Sequence, residues 1–398
     1  MNESGNGLSR PDASHGDRRL RVLLLLHQLD PGAPSVPIEA FENLRDRIDV
    51  LTIALRDGRL RARCEKLGPL VILPEWRPSL LLRIRRRLAV EGLRGTISRF
   101  SPDLLYVNSV AALEEAHSLP LPKKPVLLHV HELDSLVEPA LRSWPELLLS
   151  WPDRYIAVSD CVRQFLVDVC GIPASKVACV HEFVGDQIVN LVESIRKEGS
   201  SQSKLVIGGA GFPAWRKGIS LWLQVAASVK RLLPEGSFEC RWVGAVENQH
   251  LRLLQLEARK LGVEEVVRFL PSVADPYPHY AAFDVFAMTS WEDPCPLVVL
   301  ENMALGKVVV CFSGGGGAPE VVGDAGIMIP EFNTEWMAEA IACLAAEPAR
   351  RSRLGDSARH LVAQRFVSSV QSPKILAEIR RTAGLENSGL EAAQVTGV

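Results

Sequence analysis

The sequence predicts an α/β protein built from two doubly wound, Rossmann-like domains that face each other across a cleft. Three observations carry this. Short apolar runs alternate with segments of helical period from Leu20 onward. At 398 residues the chain exceeds one comfortable core and suits two. A polar, Ser- and Gly-rich stretch then separates two such series.

The first series has strand candidates Val22–Leu26, Asp49–Ala54, Leu104–Val107, Val126–Val130, Tyr155–Val158 and Val177–Val180. Each is a compact apolar run of the kind buried on both faces of a parallel sheet. The second has Leu205–Ile207, Phe238–Val243, Val266–Phe269, Val285–Met288 and Val308–Phe312, with helical spacing over Ile219–Leu233, Gln249–Leu261, Glu335–Ala346 and Arg350–Phe366. The expected organisation is a disordered polar tail (1–19), a first domain (20–195), a linker (196–204), a second domain (205–370) and a C-terminal helix and tail (371–398). Ligands of such folds bind at the carboxyl ends of the strands, so the cleft between the sheets is the expected site.

Composition excludes several classes. Hydrophobic residues are 47% and charged residues 23%, as in a folded globular protein, and the net charge of −2 gives no global pull toward nucleic acid. The eight cysteines are scattered without a C-x-x-C pair, which favours reduced thiols in a cytoplasm over a disulfide scaffold or zinc site. Arg18-Arg19 before Val22–Leu26 imitates a signal peptide, but the apolar run is short and His27, Gln28 and Asp30 interrupt it. No stretch approaches the roughly 20 apolar residues of a membrane span.

The chemistry concentrates in the second half. Val285–Met288 runs into Ser290-Trp-Glu-Asp-Pro-Cys-Pro-Leu-Val-Val-Leu-Glu301, where Pro294 and Pro296 suit a first helical turn and Gly306 ends the helix. A helix N-terminus after a strand offers free N–H groups to a diphosphate, here around Pro296, Leu297 and Val298. Glu301, about one turn in, can accept two hydroxyl hydrogen bonds, as a ribose presents them. Asp293 would face a sugar ring. Val308–Phe312 leads into Ser313-Gly-Gly-Gly-Gly-Ala-Pro-Glu320, where Gly315 and Gly316 let the backbone approach a ligand and Glu320 stands at the next helix. Gly208-Gly-Ala-Gly211 and then Arg216-Lys217 place a glycine turn and two cations after another strand.

Singly, each feature has a plain structural reading: a tight turn, a solvated pair of cations, an N-cap, a first-turn acid. Three in order at strand ends of one domain point to a site. The set R-K-G, D-P-x-P-L-V-x-L-E-x-M-A-x-G and G-G-x-P-E resembles the retaining GT-B glycosyltransferases of family 4. The family's paired acids E-x7-E correspond to Asp293 and Glu301, the first being Asp, with Cys295 where an aromatic residue is common. The resemblance runs from Leu20 to about Ile379. Gly32 lies in a loop similar to the family's first-strand loop, with Pro31 where its first glycine belongs. His131, in Val126-Leu-Leu-His-Val-His-Glu132, best matches the family's active-site histidine, while His27 and His129 read as structural. His181 and Glu182 are candidate acceptor contacts.

The resemblance implies a retaining transfer of a hexose or deoxyhexose from a nucleotide-sugar donor to a glycan or lipid-linked acceptor in bacterial surface polysaccharide synthesis. Catalytic roles fall on His131, Asp293, Arg216 and Lys217. Donor contacts fall on Gly32, Gly211, Arg216, Lys217, Pro296, Leu297, Val298, Glu301, Gly315, Gly316 and Glu320. No D-x-D motif ends a strand, so neither metal nor cofactor is expected. Twelve Lys/Arg against four Asp/Glu between Arg56 and Arg99, with Arg83-Ile-Arg-Arg-Arg87, suggest a surface helix or peripheral contact with anionic lipid at the inner face of a membrane. No aromatic interleaving suggests nucleic acid. Rival readings are a sugar-nucleotide-binding module without turnover, a sugar-nucleotide epimerase of the same fold, and a nicotinamide enzyme. The last rests on Gly209-Ala-Gly-Phe-Pro-Ala214, where Pro213 and Gly218 disrupt the fingerprint.

Overall fold

The structure is a computed structural model that describes residues 18–74, 80–189, 191 and 204–385, with side chains from 80 to 86 left out. Most of the expected tail and linker, and the side chains of Arg83, Arg85 and Arg86, lie outside the described residues.

Two parallel sheets form, as the apolar runs require. The first has the order β3-β2-β1-β4-β5-β6-β7 and the second β10-β9-β8-β11-β12-β13. In the first sheet the strands are β1 (Leu20–Leu26), β2 (Ile48–Ala54), β3 (Leu70–Ile72), β4 (Leu104–Asn108), β5 (Val126–Val130), β6 (Arg154–Ala157) and β7 (Val177–Cys179). In the second they are β8 (Leu205–Ala210), β9 (Phe238–Ala245), β10 (Val267–Pro271), β11 (Val285–Met288), β12 (Val308–Phe312) and β13 (Ile327–Ile329). Eleven expected strands are present with bounds shifted by a few residues at most. The unexpected β3 and β13 are three-residue edge strands, too short and too exposed for a periodic signal.

Strand order reverses between β1 and β4 in one sheet and between β8 and β11 in the other. The loops leaving those strands therefore splay apart and open a crevice in each domain. Bonds between the domains close the crevices onto one cleft. Ser159 Oγ–H donates to Pro294 O (2.6 Å), and Ser135 gives its amide (3.2 Å) and hydroxyl (2.6 Å) to the Glu292 carboxylate.

The last helix, Ser368–Thr382, crosses back to the first domain. Ile375 and Ile379 are fully buried beside Val22, Leu24, Leu104 and Tyr106. Asp186 accepts bonds from Ser368 Oγ (2.6 Å) and the Ser369 amide (3.0 Å), and Arg154 Nε donates to Glu378 (3.0 Å). The helix thus completes the core of the half of the chain farthest from it in sequence.

Candidate active site

The first wall of the cleft is built from the ends of β1, β4, β5 and β7. His131 is buried with both ring nitrogens engaged: Nδ1 lies 2.7 Å from Glu182 Oε1 and Nε2 lies 2.9 Å from Asn108 Oδ1. Asn108 Nδ2–H donates to Ala33 O (3.2 Å), which turns its Oδ1 toward His131 and ties the Gly32 loop to β4. An amide oxygen cannot donate, so His131 Nε2 carries a proton. Burial, the largest influence, holds the Glu182 carboxyl above its ordinary range.

Behind this pair, His129 Nδ1 and Tyr106 Oη are 2.7 Å apart, and the His129 and His131 rings are 4.1 Å apart. Burial pushes His129 well below the ordinary imidazole range and lowers His27 as well, so neutral structural rings fit both. Glu132 is a residue that sequence reasoning passed over. Its carboxylate accepts the amides of Val110 (3.1 Å) and His131 (2.9 Å) and the Ser109 hydroxyl. Those bonds hold Ser109 at φ +81°, a strained left-handed conformation that aims the loop after β4.

The second wall brings together the loops after β8, β11 and β12. Lys217 Nζ donates to Asp293 Oδ2 (2.5 Å), and Arg216 Nη1 lies 3.8 Å from Asp293 Oδ1. The Asp293 amide donates to Gly315 O and the Gly317 amide to Asp293 O, both at 2.9 Å, so the acid loop and the glycine loop form a miniature parallel bridge. The glycines are required for it. Gly316 has φ +103°, and a Cβ there would stand 2.2 Å from Asp293 O. Gly211 has φ +133° and packs on the Lys217 side chain.

Pro296 caps the helix Leu297–Ala304 without a side-chain bond, and the first intrahelical bond is Val299 N–H to Pro296 O (2.9 Å). The amides of Leu297 and Val298 precede it and remain available. Glu301 is half-buried with no hydrogen-bond partner for its carboxyl among the described residues, and desolvation first, then Glu182, pushes it up to about 8. Tyr277 and Tyr280, on a short helix after β10, lie near enough to feel its charge and were not anticipated.

Glu320 has a different neighbourhood from the one expected. It accepts the amides of Asp160 (2.8 Å) and Cys161 (2.7 Å) and lies 3.2 Å from His181 Nε2, so it joins the second domain to the first. Ligand atoms of Asp160, Cys179 and His181 lie within 4.8 Å of one another beside it. All eight cysteines are free thiols. In the basic region Arg63 pairs with Glu39 and Glu42, Arg61 with Asp57 and Glu65, and Arg87 with Glu91, so acids offset part of its charge.

Both halves of the chain match known sequence families: Glycosyltransferase Family 4 over residues 32–187 and Glycosyl transferases group 1 over residues 202–347. The chain belongs to the group 1, family 4 glycosyltransferases. Among curated relatives, a D-inositol 3-phosphate glycosyltransferase of Kribbella flavida is 29% identical over 246 residues, 56% of each chain. The chain spans about half the length, or less, of the first curated relatives it matches. The lipopolysaccharide core biosynthesis glycosyltransferase LpsE of Rhizobium meliloti is 24% identical over 65% of this chain and 82% of its own. The fold is GT-B. Anabaena HepE, solved in complex with UDP and glucose, superposes with a TM-score of 0.77 at 22% identity over 91% of this chain and all of its own. The sucrose-phosphate synthase of Thermosynechococcus elongatus superposes at 0.74 with 17% identity, over 92% of this chain and all of its own. Within this family, the order of motifs at the ends of β8, β11 and β12 is the signal that located the second wall from sequence. Among the described residues no helix is long and apolar enough to cross a membrane.

Proposed function

We propose that the protein transfers a hexose or deoxyhexose from a nucleotide-sugar donor, with retention and without a metal, to a glycan or lipid-linked acceptor of a bacterial surface polysaccharide. The observation that carries this reading is the unpartnered Glu301 carboxyl beside the open Leu297 helix terminus. A carboxyl pushed up to about 8 by burial is one that a ribose would satisfy, since two hydroxyls can donate to its two oxygens. The Leu297 and Val298 amides then face the diphosphate, and Lys217 and Arg216 offset the charge that grows on the β-phosphate as the sugar departs. Asp293, which pairs with both cations, orients them and the sugar.

HepE was solved with UDP and with UDP-glucose, and a mannosyltransferase relative from Mycolicibacterium smegmatis is named for GDP-mannose, which supports a nucleotide-sugar donor. LpsE supports a glycolipid or glycan acceptor. Retention follows the family, and independence from metal follows the absent D-x-D motif and the cations already in place. Contact with an anionic membrane through the helix Leu80–Phe100 would bring a lipid-linked acceptor to the first domain. Titration with UDP, GDP, ADP and dTDP by calorimetry tests the core of the reading. One of them binds with micromolar affinity if it holds, and none does if the cleft serves another ligand.

A further inference from the structure

A cluster of metal-ligating side chains stands where the two domains meet, beside Glu320. Cys179 ends β7 and His181 follows two residues later, the spacing that puts both side chains on one side of an extended chain. Asp160 opens the short helix after β6, the strand paired with β7. One ligand atom from each lies within 4.8 Å of the other two, and Cys179 Sγ is 4.0 Å from His181 Nδ1. Around a tetrahedral zinc, ligands at about 2.0–2.3 Å stand roughly 3.3–3.8 Å apart, so the three need to close by only about an ångström. Asp160 has room to do so: its side chain is 51% exposed, and Arg163 Nε holds Oδ1 alone, at 3.0 Å.

A second observation is independent of that spacing. Glu320 already accepts the Asp160 and Cys161 amides, so its contact with His181 Nε2 (3.2 Å) makes that nitrogen the donor. The imidazole lone pair then falls on Nδ1, the nitrogen beside Cys179. A carboxylate on the far nitrogen, fixing tautomer and aim, is what stands behind metal-bound histidines. Phe366 meets the same ring edge-on at 5.5 Å and holds its plane.

We propose that Asp160, Cys179 and His181 bind a zinc ion, with water in the fourth position and Glu320 behind the histidine. A thiolate, an imidazole and one carboxylate favour zinc over Mg²⁺, which prefers oxygen ligands. Binding releases the Cys179 proton, and thiolate and carboxylate together neutralise the ion. The ion takes no part in the sugar transfer proposed above. It clasps β7 and the helix after β6 to the loop that carries Glu320, across the domain boundary. The cysteine spacing carries no sign of it because the ligands come from two strand ends and include a single thiol.

The test uses the full chain, stripped of metal under a reducing agent, and needs no transferase activity. Calorimetry with Zn²⁺ should give one site of micromolar affinity or tighter, and Co²⁺ in its place should show a thiolate charge-transfer band. Cys179→Ser should abolish that band, and it, Asp160→Asn and His181→Ala should each weaken Zn²⁺ by about a hundredfold or more. Glu320→Gln, which removes only the partner behind the histidine, should weaken it about tenfold. Zn²⁺ should raise the melting temperature of wild type and leave that of Cys179→Ser unmoved. Melting without metal reports whether each variant folds, and the exposed Asp160→Asn keeps the comparison readable if a more buried change does not. No Zn²⁺ binding below the millimolar range overturns the proposal. So does binding that stays within about threefold of wild type in both Asp160→Asn and Cys179→Ser, since the ion would then sit on other groups.

Discussion

On the first wall of the cleft, both nitrogens of His131 and one oxygen of Glu182 are consumed inside the protein, and the Glu132 carboxylate accepts three bonds. On the second wall, two helix amides and the Glu301 carboxyl stay open, and two cations converge on the single acid Asp293. Unsatisfied buried polar groups cost stability unless a ligand repays them. On the proposed reading the second wall is the one shaped around an anionic, hydroxyl-bearing ligand and the first is the one braced beneath it, with His27 Nδ1 and His129 Nε2 buried there without a partner among the described residues.

The loops sharpen that contrast most. Gly316 on the second wall is hemmed in by the Asp293 carbonyl, whereas Gly32 on the first has φ +127° but nothing within 4 Å of a Cβ. Gly316→Ala should cost about 3 kcal/mol or more and remove activity, while Gly32→Ala should cost only the backbone strain, about 1–2 kcal/mol. Urea melts of both variants check this, and equal losses would erase the distinction.

Next comes Glu301. Glu301→Gln keeps shape and loses charge-assisted acceptors worth about 1.5–3 kcal/mol each, so nucleoside diphosphate should bind roughly ten- to a hundredfold more weakly. The 2′-deoxy nucleotide should lose much less, as calorimetry on both proteins would read. Equal losses would make Glu301 a helix-terminal acid only.

Lys217→Ala should lower kcat/KM by about tenfold or more, roughly 1.4 kcal/mol, because the leaving phosphate loses a cation. Steady-state rates within twofold of wild type would detach Lys217 from catalysis.

A smaller effect separates stability from function. The Glu301 carboxyl sits at about 8 in the fold, above its ordinary 4.5, so the folded state prefers the protonated form. The penalty for ionising it is absent below pH 4.5 and grows until pH 8. Unliganded Glu301→Gln should therefore melt a few degrees higher than wild type near pH 8 and about level with it at pH 4.5. A melting difference independent of pH would contradict the assigned burial. At the bottom of the scale, excess EDTA should leave transfer unchanged, and restoration of lost activity by Mg²⁺ or Mn²⁺ would refute a metal-independent second wall.

The second wall was far more legible than the first. Its glycines, prolines and acids are local punctuation, and each announces its conformation within a few residues of the chain. Asp293, Lys217 and Glu301 consequently meet where the motifs put them. The first wall is written in long-range partners. Asn108, His131 and Glu182 come from three strand ends, and only the sheet order makes them neighbours. The same limit hid the neighbours of Glu320, expected as a donor contact at the mouth of its helix, whose oxygens accept the amides of Asp160 and Cys161 across the cleft. Strands β3 and β13 were missed because three residues at a sheet edge bury too little to stand out.

The returning helix Ser368–Thr382 has a consequence for how the protein comes into being. On the ribosome, residues 20–189 emerge first and form most of their sheet, but Ile375 and Ile379 are still roughly 180 residues from being made. At about 5–20 residues per second, the apolar patch over Val22, Leu24 and Leu104 stays open for on the order of ten seconds. The nascent first half thus exposes that patch until the final helix arrives. A premature stop just before Ser368 would yield a chain whose second domain is finished and whose first domain is not.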